Sequence, residues 1–529
     1  MGVWTKSVRI FKCLCENSKQ SVRRIALQTG FSKSSVHRLK QAMERRDAHP
    51  ESWLWETEEG RRWLTRLVVA TLYTFGLKRG VGVETLSAFF VRLRLPTQVG
   101  CSPGAIRQVM QVLEATVVAT AETWEQDAVA AGEVREIIGG VDETFLERMM
   151  LVFQDVSTGY LVLEDTADDR TFATWKALVD ARLTALGTTV LYLVSDRAKA
   201  LIKLAEHGLE CLSMPDFFHF MHDVVKSYSL AIGRRLQDAH TQLKAAEHAL
   251  ASHLERPHAA QTSHQAQAAG EASRAEVRQW EEIHHTYRQH LETLSLTLHP
   301  FGIADSAPQT SAQVHSQLHT AVEAIEALAE RYALPTPHAA RQKVHKQLPG
   351  LAALVDFWWQ GVEHDLESFR LSPMWQSWVH EGLLPLVYWE HCLAHTRCAR
   401  RKAKIRAALE AVHAAFHTHA LTKQLAPGVL EEWKAWATQR AQVFQRTSSA
   451  VEGRNGYLSQ MHHNHRGLPK HRYKVWTILH NFDCRAADGT TPASRFFRRS
   501  FPDLFETVLS HINALPQPRR RKHHVALTP

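Results

Sequence analysis

Two aspartates stand where runs of apolar residues end, and their position suggests metal chemistry. Asp142 ends the stretch "EIIGGVD", and Asp196 follows the apolar run "VLYLV" after a single serine. Carboxylates held together at strand ends repel each other unless a cation lies between them, and hard oxygen ligands with open water positions suit Mg²⁺. The alternative for Asp196 is to cap the helix that follows, where its charge meets the helix dipole.

The residues around these aspartates predict an α/β unit with a mixed sheet. Apolar runs and alternating patterns predict five strands, and apolar residues at helical spacing predict the helices between and after them. The predicted strands are 136–146, 148–156, 160–165, 190–194 and 209–214, and the predicted helices are 170–186, one from about 197 and one from 217. Three antiparallel strands followed by crossover helices and buried parallel strands make a mixed sheet with helices on both faces.

This order of elements and four motifs resemble the DDE transposases of bacterial insertion sequences, which have a ribonuclease H-like core. The motifs are "GGVDETF" at 139–145, "LVSDRAKALI" at 193–202, "PDFFHFMHD" at 215–223 and "SSAVEGRNGYLSQMHHNHRG" at 448–467. The resemblance implies that Asp142, Asp196 and Glu452 form a catalytic triad that binds two Mg²⁺ or Mn²⁺ ions. The implied activity is metal-dependent strand cleavage at transposon ends, followed by strand transfer into target DNA. Position 459 is serine, so the spacing of tyrosine, arginine and lysine used by one branch is absent and the subfamily stays open.

The resemblance also implies DNA contacts near the third carboxylate. His219, Arg454 and Asn455 resemble recurring family positions near the scissile phosphate, and each has the alternative of a structural hydrogen-bonding role. The segment "HHNHRGLPKHRYK" at 462–474 predicts a DNA-facing loop that includes Arg466, Lys470 and Arg472.

The first fifty residues predict a helix-turn-helix DNA-binding domain. The stretch 21–30 is typical of a short amphipathic helix with Ile25 and Leu27 inward and Gly30 as C-cap. A second helix follows, with Ser32 or Ser34 as its cap and with Val36, Leu39 and Met43 at helical spacing. An ordinary helical hairpin is the alternative. The predicted DNA-binding residues of this domain are Arg24, Lys33, Ser35, His37, Arg38 and Lys40.

A large all-helical insertion is predicted between the second and third carboxylates. Leucines at heptad spacing in 236–255 and an apolar series in 277–294 predict an antiparallel hairpin, joined by a polar connector at 256–272. The hairpin either contributes to a homodimer or larger oligomer on DNA or is a plain spacer. The predicted domains are 1–50, the helix-turn-helix; 51–134, helical with a weaker second helix-turn-helix at 82–119; 135–228, the first part of the core; 229–444, the insertion; 445–490, the last part of the core; and 491–529, a basic tail.

Composition narrows the class of protein further. The formal charge is +9 in 529 residues, with basic clusters that favour double-stranded DNA as partner. No apolar run is long enough to cross a membrane, the first residues lack a signal-peptide layout, and the seven cysteines are scattered. These features predict a cytoplasmic protein of the bacterial nucleoid. The alternatives in function are a catalytically silent DNA-binding regulator and an RNA-cleaving nuclease with the same sheet.

Overall fold

The structure is a computed structural model and describes residues 9–10, 12–13, 20–47, 57–132, 134–254, 260–335, 338–465, 470–512 and 514–518. The chain divides into two compact units. The first contains Met1–Glu122 and Phe501–Pro529, and the second contains Thr123–Ser500. No helix in the described ranges is both long and apolar enough to span a membrane.

The first unit begins with the predicted helix-turn-helix. Its helices are α1 (Val22–Thr29) and α2 (Lys33–Asp47). Ser21 caps α1, and Gly30 ends it with a φ of 72°, a left-handed conformation that glycine adopts without strain. Ile25 and Val36 are fully buried against each other's helix, as predicted. The inward orientation predicted for Leu27 is wrong: its side chain is 84% exposed, because α1 is short and Ile25 supplies its buried contact.

Further helices complete the first unit. They are α3 (Glu58–Thr71), α4 (Val83–Arg92), α5 (Pro103–Ala130) and a final helix at Leu504–Ser510, with a π-helical segment at Leu72–Lys78 and a 3₁₀ turn at Leu95–Thr97. Ser102 accepts a hydrogen bond from the Ala105 amide and Pro103 opens α5, as the sequence predicts. With 28 residues, α5 is much longer than a recognition helix needs to be, and the division between the two units falls inside it.

The second unit contains the predicted mixed sheet. Its strands are β1 (Arg135–Phe145), β2 (Met149–Asp155), β3 (Leu161–Ala167), β4 (Thr188–Ser195) and β5 (Leu212–Pro215), in the order β3-β2-β1-β4-β5. The first three strands are antiparallel, whereas β4 is parallel to both β1 and β5. Helix α6 (Phe172–Leu186) crosses from β3 to β4, and α7 (Lys199–Lys203) with a π-helical turn at Leu204–Gly208 leads to β5.

The rest of the second unit is helical. The helices are α8 (Phe217–Leu254), α9 (Ala260–Thr297), α10 (Ser311–Arg331), α11 (His338–Phe369), α12 (Pro373–Trp378), α13 (Leu384–His395), α14 (Ala399–Thr418), α15 (Ala420–Gln424), α16 (Pro427–Val443), α17 (Ser449–His465), α18 (Lys470–Asp483) and α19 (Pro492–Phe496), with a π-helical turn at Val379–Leu383.

Sheet and helices share one hydrophobic core. Tyr192 and Val194 of β4 belong to the same buried cluster as residues of α8 to α16. The Tyr192 hydroxyl donates to the carbonyl of Val443 at 2.6 Å and accepts from the amide of Gln445 at 2.8 Å. The helical insertion is therefore packed directly on the sheet. The boundary predicted at 228 falls inside the continuous helix α8.

The predicted antiparallel hairpin is formed by α8 and α9. An ion pair between Arg274 of α9 and Glu247 of α8, at 3.1 Å, joins the two helices. Leu236 and Leu243 pack against the core of their own chain. The polar connector predicted at 256–272 is wrong for most of its length, because α9 begins at Ala260. Alanine and glutamine have good helix propensity, so pairing with α8 extends the helix through this polar stretch.

Candidate active site

The sheet brings the two predicted aspartates to one edge. Asp142 lies near the end of β1, and Asp196 is the first residue after β4. The parallel register pairs Gly140 with Val194, so each aspartate lies two residues beyond a matched pair. Because adjacent parallel strands present their carboxyl ends at the same side, both aspartates lie at this end of the sheet.

Close backbone approach brings the third carboxylate to β1. A Cβ atom on Gly140 would lie 2.5 Å from Val156 Cγ1 and 3.1 Å from Val451 Cγ2, so only glycine fits at this position. Val451 belongs to the first turn of α17, whose next residue is Glu452. Gly140 therefore permits the close contact between β1 and Val451 that places Glu452 beside Asp142.

Asp142 is the most perturbed carboxylate of the three. Its Oδ2 accepts a hydrogen bond from Asn455 Nδ2 at 2.7 Å, and its Oδ1 accepts from the Glu143 amide at 2.9 Å. Burial and then the charge of Glu452 raise the pKa of Asp142 from 3.8 to about 7. A cation is stabilised beside a carboxyl group whose ionisation is opposed by a neighbouring negative charge in this way.

A buried aspartate that the sequence did not single out orients His219. Asp216, 1% exposed, accepts hydrogen bonds from His219 Nδ1 at 2.8 Å, from the Phe218 amide at 2.8 Å and from the Ser448 hydroxyl at 2.7 Å. The other ring nitrogen, His219 Nε2, lies 3.3 Å from Glu452 Oε1. The hydrogen bond to Asp216, aided by the charges of Asp216, Glu452 and Asp142, raises the pKa of His219 to about 9. His219 is therefore a cation at neutral pH.

Ser448 and Asp216 together join the start of α17 to the end of β5. Ser448 is 1% exposed and donates through both its hydroxyl and its amide to Asp216. A signal for this role is present in the sequence, since Asp216 is a single acid between Pro215 and an aromatic pair. An acid in such an apolar setting requires partners when buried.

Asp196 is exposed, and its Oδ1 accepts a hydrogen bond from the Ala198 amide at 2.8 Å. This contact shapes the turn before α7, but the N-cap of α7 is Ala198 and has no side-chain cap hydrogen bond, so Asp196 does not cap that helix as the alternative expected. Glu143 adds a fourth carboxylate nearby. Burial and then the charge of Asp196 raise the pKa of Glu143, which pairs with Arg170 at 3.3 Å.

Arg454 is buried rather than exposed as a DNA contact would require, and it has the structural hydrogen-bonding role that was the alternative. Its side chain is buried and makes a bidentate ion pair with Glu164 of β3, at 2.5 Å and 2.7 Å. Thr477 of α18 also donates to Glu164, at 2.9 Å. Arginine and glutamate so deeply buried need each other's charge, and this pair fixes α17 on the sheet. Asn455, one residue further, does reach the carboxylates through Asp142.

The remaining residues predicted to bind DNA lie in two places. Arg466 is outside the described residues, α18 begins at Lys470, and Arg472 is half-buried. In the helix-turn-helix, Arg24, Lys33, His37 and Arg38 are exposed. Ser35 and Lys40 are half-buried: Ser35 accepts from the Ser32 hydroxyl at 2.9 Å, and Lys40 Nζ donates to the Gln20 carbonyl at 3.3 Å.

The donor atoms suit a hard cation, although they are not yet gathered around one. Among the described residues, no group of three or more histidine, cysteine, aspartate or glutamate side chains is arranged to hold a metal ion. The carboxylate oxygens of Asp142, Asp196 and Glu452 are of the type that Mg²⁺ and Mn²⁺ prefer. Two buried oxygens beside them, Glu143 Oε2 and Asn455 Oδ1, have no hydrogen-bond partner. A bound cation with its waters would satisfy such atoms.

Comparison with known families matches two parts of the chain. Residues 4–48 match the IclR helix-turn-helix domain, and residues 379–524 match a family of unknown function, DUF6399. The first match agrees with the geometry of α1 and α2 and supports DNA binding by this domain. The second spans α13 to α19 and includes Glu452. Neither the comparison with curated proteins nor that with solved structures gave a match.

Proposed function

We propose that this protein is a DNA transposase of the DDE type, with a ribonuclease H-like core that cuts and joins DNA strands by metal-dependent phosphoryl transfer. The observation that carries the proposal is the proximity of Asp142 on β1 to Glu452 on α17, whose charge raises the pKa of Asp142, at the end of the sheet where Asp196 follows β4. A helix-turn-helix in the same chain supplies the means to hold DNA.

The chain's own residues have distinct roles in this proposal. Asp142, Asp196 and Glu452 would hold two Mg²⁺ or Mn²⁺ ions, which activate the attacking water or 3′-hydroxyl and stabilise the leaving oxygen. Asn455 orients Asp142 through its 2.7 Å hydrogen bond. His219, held by Asp216 and positively charged, faces the same edge and would pair with a DNA phosphate.

Synapsis of two transposon ends is part of the proposal and requires a homodimer or larger assembly on double-stranded DNA. Much of the leucine seam of α8 is already packed within its own chain, so the contacts between copies would use other surfaces. Sedimentation of the protein with a duplex carrying one end tests this: a complex with a single chain on two joined ends would contradict it.

The test of catalysis uses a supercoiled plasmid that carries the gene with its flanking DNA. Asp142→Asn, Asp196→Asn and Glu452→Gln each remove a metal-binding charge at constant size. We expect each to reduce Mg²⁺-dependent nicking and strand transfer at least about 100-fold while DNA binding persists.

Asp165→Asn is the matched control, because Asp165 lies on β3 of the same sheet and caps its own neighbour's amide at 2.7 Å. It should cut and join DNA as the wild type does. If the wild type binds this plasmid but cuts nothing in Mg²⁺ or Mn²⁺, the function is that of a DNA-binding regulator. Cleavage that survives in the triad variants would remove these residues from the mechanism.

A further inference from the structure

The exposed face of α8 begins at the carboxylate site. His219, in the first turn, contacts Glu452, and one face of the helix continues from it through His222 and Lys226 to Gln237. At about 1.5 Å per residue, the stretch from His219 to Gln237 is about 27 Å long. A ligand that reaches the carboxylates therefore has a continuous helical surface along which to lie.

This face carries a shallow, open groove of about 550 Å³ that is lined by residues of α8 alone. Ser229 and Gly233 supply small side chains in the middle of the groove, and a Cβ atom on Gly233 would meet nothing within 4 Å. Small residues at consecutive turns let a backbone of another molecule approach the helix closely. The space is thus suited to an extended polymer rather than to a small enclosed ligand.

The charged residues that line the groove favour an anionic polymer as its ligand. Lys226 and Arg234 are exposed and line the groove, and no acidic residue is among its lining residues. The carboxylate at its margin, Asp223, is neutralised by Lys343 at 2.8 Å. Leu230, between the two cations, is 62% exposed, an unusual position for leucine unless an apolar surface covers it. The sugar rings beside DNA phosphates provide such a surface.

We infer that this face of α8 is a binding track for the backbone of duplex DNA, in which Lys226 and Arg234 contact phosphates and Leu230 packs on deoxyribose. The inference rests on the proposed function, because it assumes that DNA lies across Asp142 and Glu452. The track adds to that function a second DNA-binding element. In it, α8 and not the helix-turn-helix holds the DNA that lies next to the candidate site. Contacts of this kind hold DNA irrespective of its sequence.

The test measures binding of the full-length protein to a fluorescent 30-bp duplex of random sequence in EDTA, so that no strand is cut. We expect Lys226→Ala combined with Arg234→Ala to weaken binding roughly 10-fold near 0.1 M salt and to reduce the slope of log affinity against log salt by about 1.8, or about 0.9 per lost phosphate contact. The control pair, Arg278→Ala with Lys423→Ala, removes the same charge from exposed positions on α9 and α15 and should bind as the wild type does.

A gain of binding provides the second measurement, since misfolding cannot produce it. Gln237→Lys adds a cation to the groove and should tighten binding severalfold and steepen the slope by about 0.9, whereas Gln424→Lys on α15 should change neither. Unchanged affinity in both groove variants would overturn the track. If the groove variants respond as expected but the wild type never cleaves DNA, the track stands and the proposed catalysis fails. If the wild type cleaves and the groove variants bind normally, only the track fails.

Discussion

The surroundings of Asp142 and His219 act on the charges of these two side chains in opposite ways. Asp142 is driven towards its neutral form by burial and by Glu452, whereas His219 is held in its charged form by Asp216. Such divergent pKa values within one small region are typical of a site built for charged ligands. The candidate site thus combines a carboxyl group that is held towards its neutral form with an imidazolium placed between Asp216 and Glu452.

The raised pKa of Asp142 has a consequence for stability that can be measured. Its folded pKa of about 7 lies above its ordinary value of 3.8, so between these values the folded chain holds a proton that the unfolded chain has lost. Stability from this group is therefore full below pH 3.8 and is lost as pH rises through 7. We expect Asp142→Asn to raise the melting temperature of the metal-free protein at pH 8 and to change it much less at pH 5.

Calorimetry at the two pH values checks this expectation, with Asp165→Asn as control. Addition of Mg²⁺ at pH 8 should raise the melting temperature of the wild type, because binding to the folded state alone stabilises it, but should have little effect on Asp142→Asn. If Asp142→Asn is less stable than the wild type at pH 8, the surroundings of Asp142 do not disfavour the charged form of its carboxyl group.

Helix α17 is fixed to the sheet at two points. Ser448 bonds to Asp216 just before its first turn, and Arg454 pairs with Glu164 one turn later. Glu452 lies between these anchors and Asn455 lies directly after them. Because both anchors are buried, the position of the third carboxylate is set by the sheet and not by the loops around it.

The Arg454–Glu164 pair allows a structural role to be separated from DNA contact. Removing one member of a buried ion pair leaves an unpaired charge, so Arg454→Met should lower the free energy of unfolding by about 3–5 kcal/mol. Arg454→Met combined with Glu164→Leu should recover much of that loss. Arg62→Met, which breaks an exposed pair between Arg62 and Glu58 on α3, should cost less than about 1 kcal/mol. Urea denaturation gives these values, and an Arg454→Met protein of normal stability but weakened DNA binding would return Arg454 to the DNA contacts.

The amino-acid sequence predicted the strands more accurately than the contacts between side chains. The five strands lie within about three residues of their predicted ends, because buried runs and alternation report local environment directly. The role of Arg454 was not predictable, since its partner Glu164 is 290 residues away in sequence and either role fits an arginine after Glu452. The predictions for Leu27 and for the 256–272 segment were wrong for a related reason. Periodicity shows that a helix is amphipathic, but it does not show which neighbouring element covers the helix.

The division into two units separates DNA recognition from the candidate chemistry. The helix-turn-helix belongs to the first unit, and the carboxylates belong entirely to the second. Each can therefore be altered without touching the other's residues. In the first unit, His37 and Arg38 are exposed on α2, where a major-groove reader presents its side chains.

Replacing one recognition residue should affect binding and leave the chemistry intact. We expect Arg38→Ala to weaken binding to a duplex taken from the DNA that flanks the gene severalfold, and to reduce the salt slope by about 0.9 if Arg38 contacts a phosphate. Arg62→Ala, an exposed arginine of α3 that pairs with Glu58, is the control. Titration by fluorescence anisotropy at several salt concentrations provides the measurement. Identical affinity and slope for Arg38→Ala and the wild type would move recognition to α4 and α5.

The order of the carboxylates along the chain also matters while the protein is being made. Glu452 follows Asp196 by 256 residues, and the helices between them pack on the sheet as part of one core. At about 5–20 residues per second, a ribosome needs roughly 13–50 s to travel from the second carboxylate to the third. Throughout that interval the nascent chain already has its helix-turn-helix and two of the three acids, but the candidate site is incomplete. Under the proposed function, synthesis itself thus delays the moment at which the protein can cut the DNA it holds.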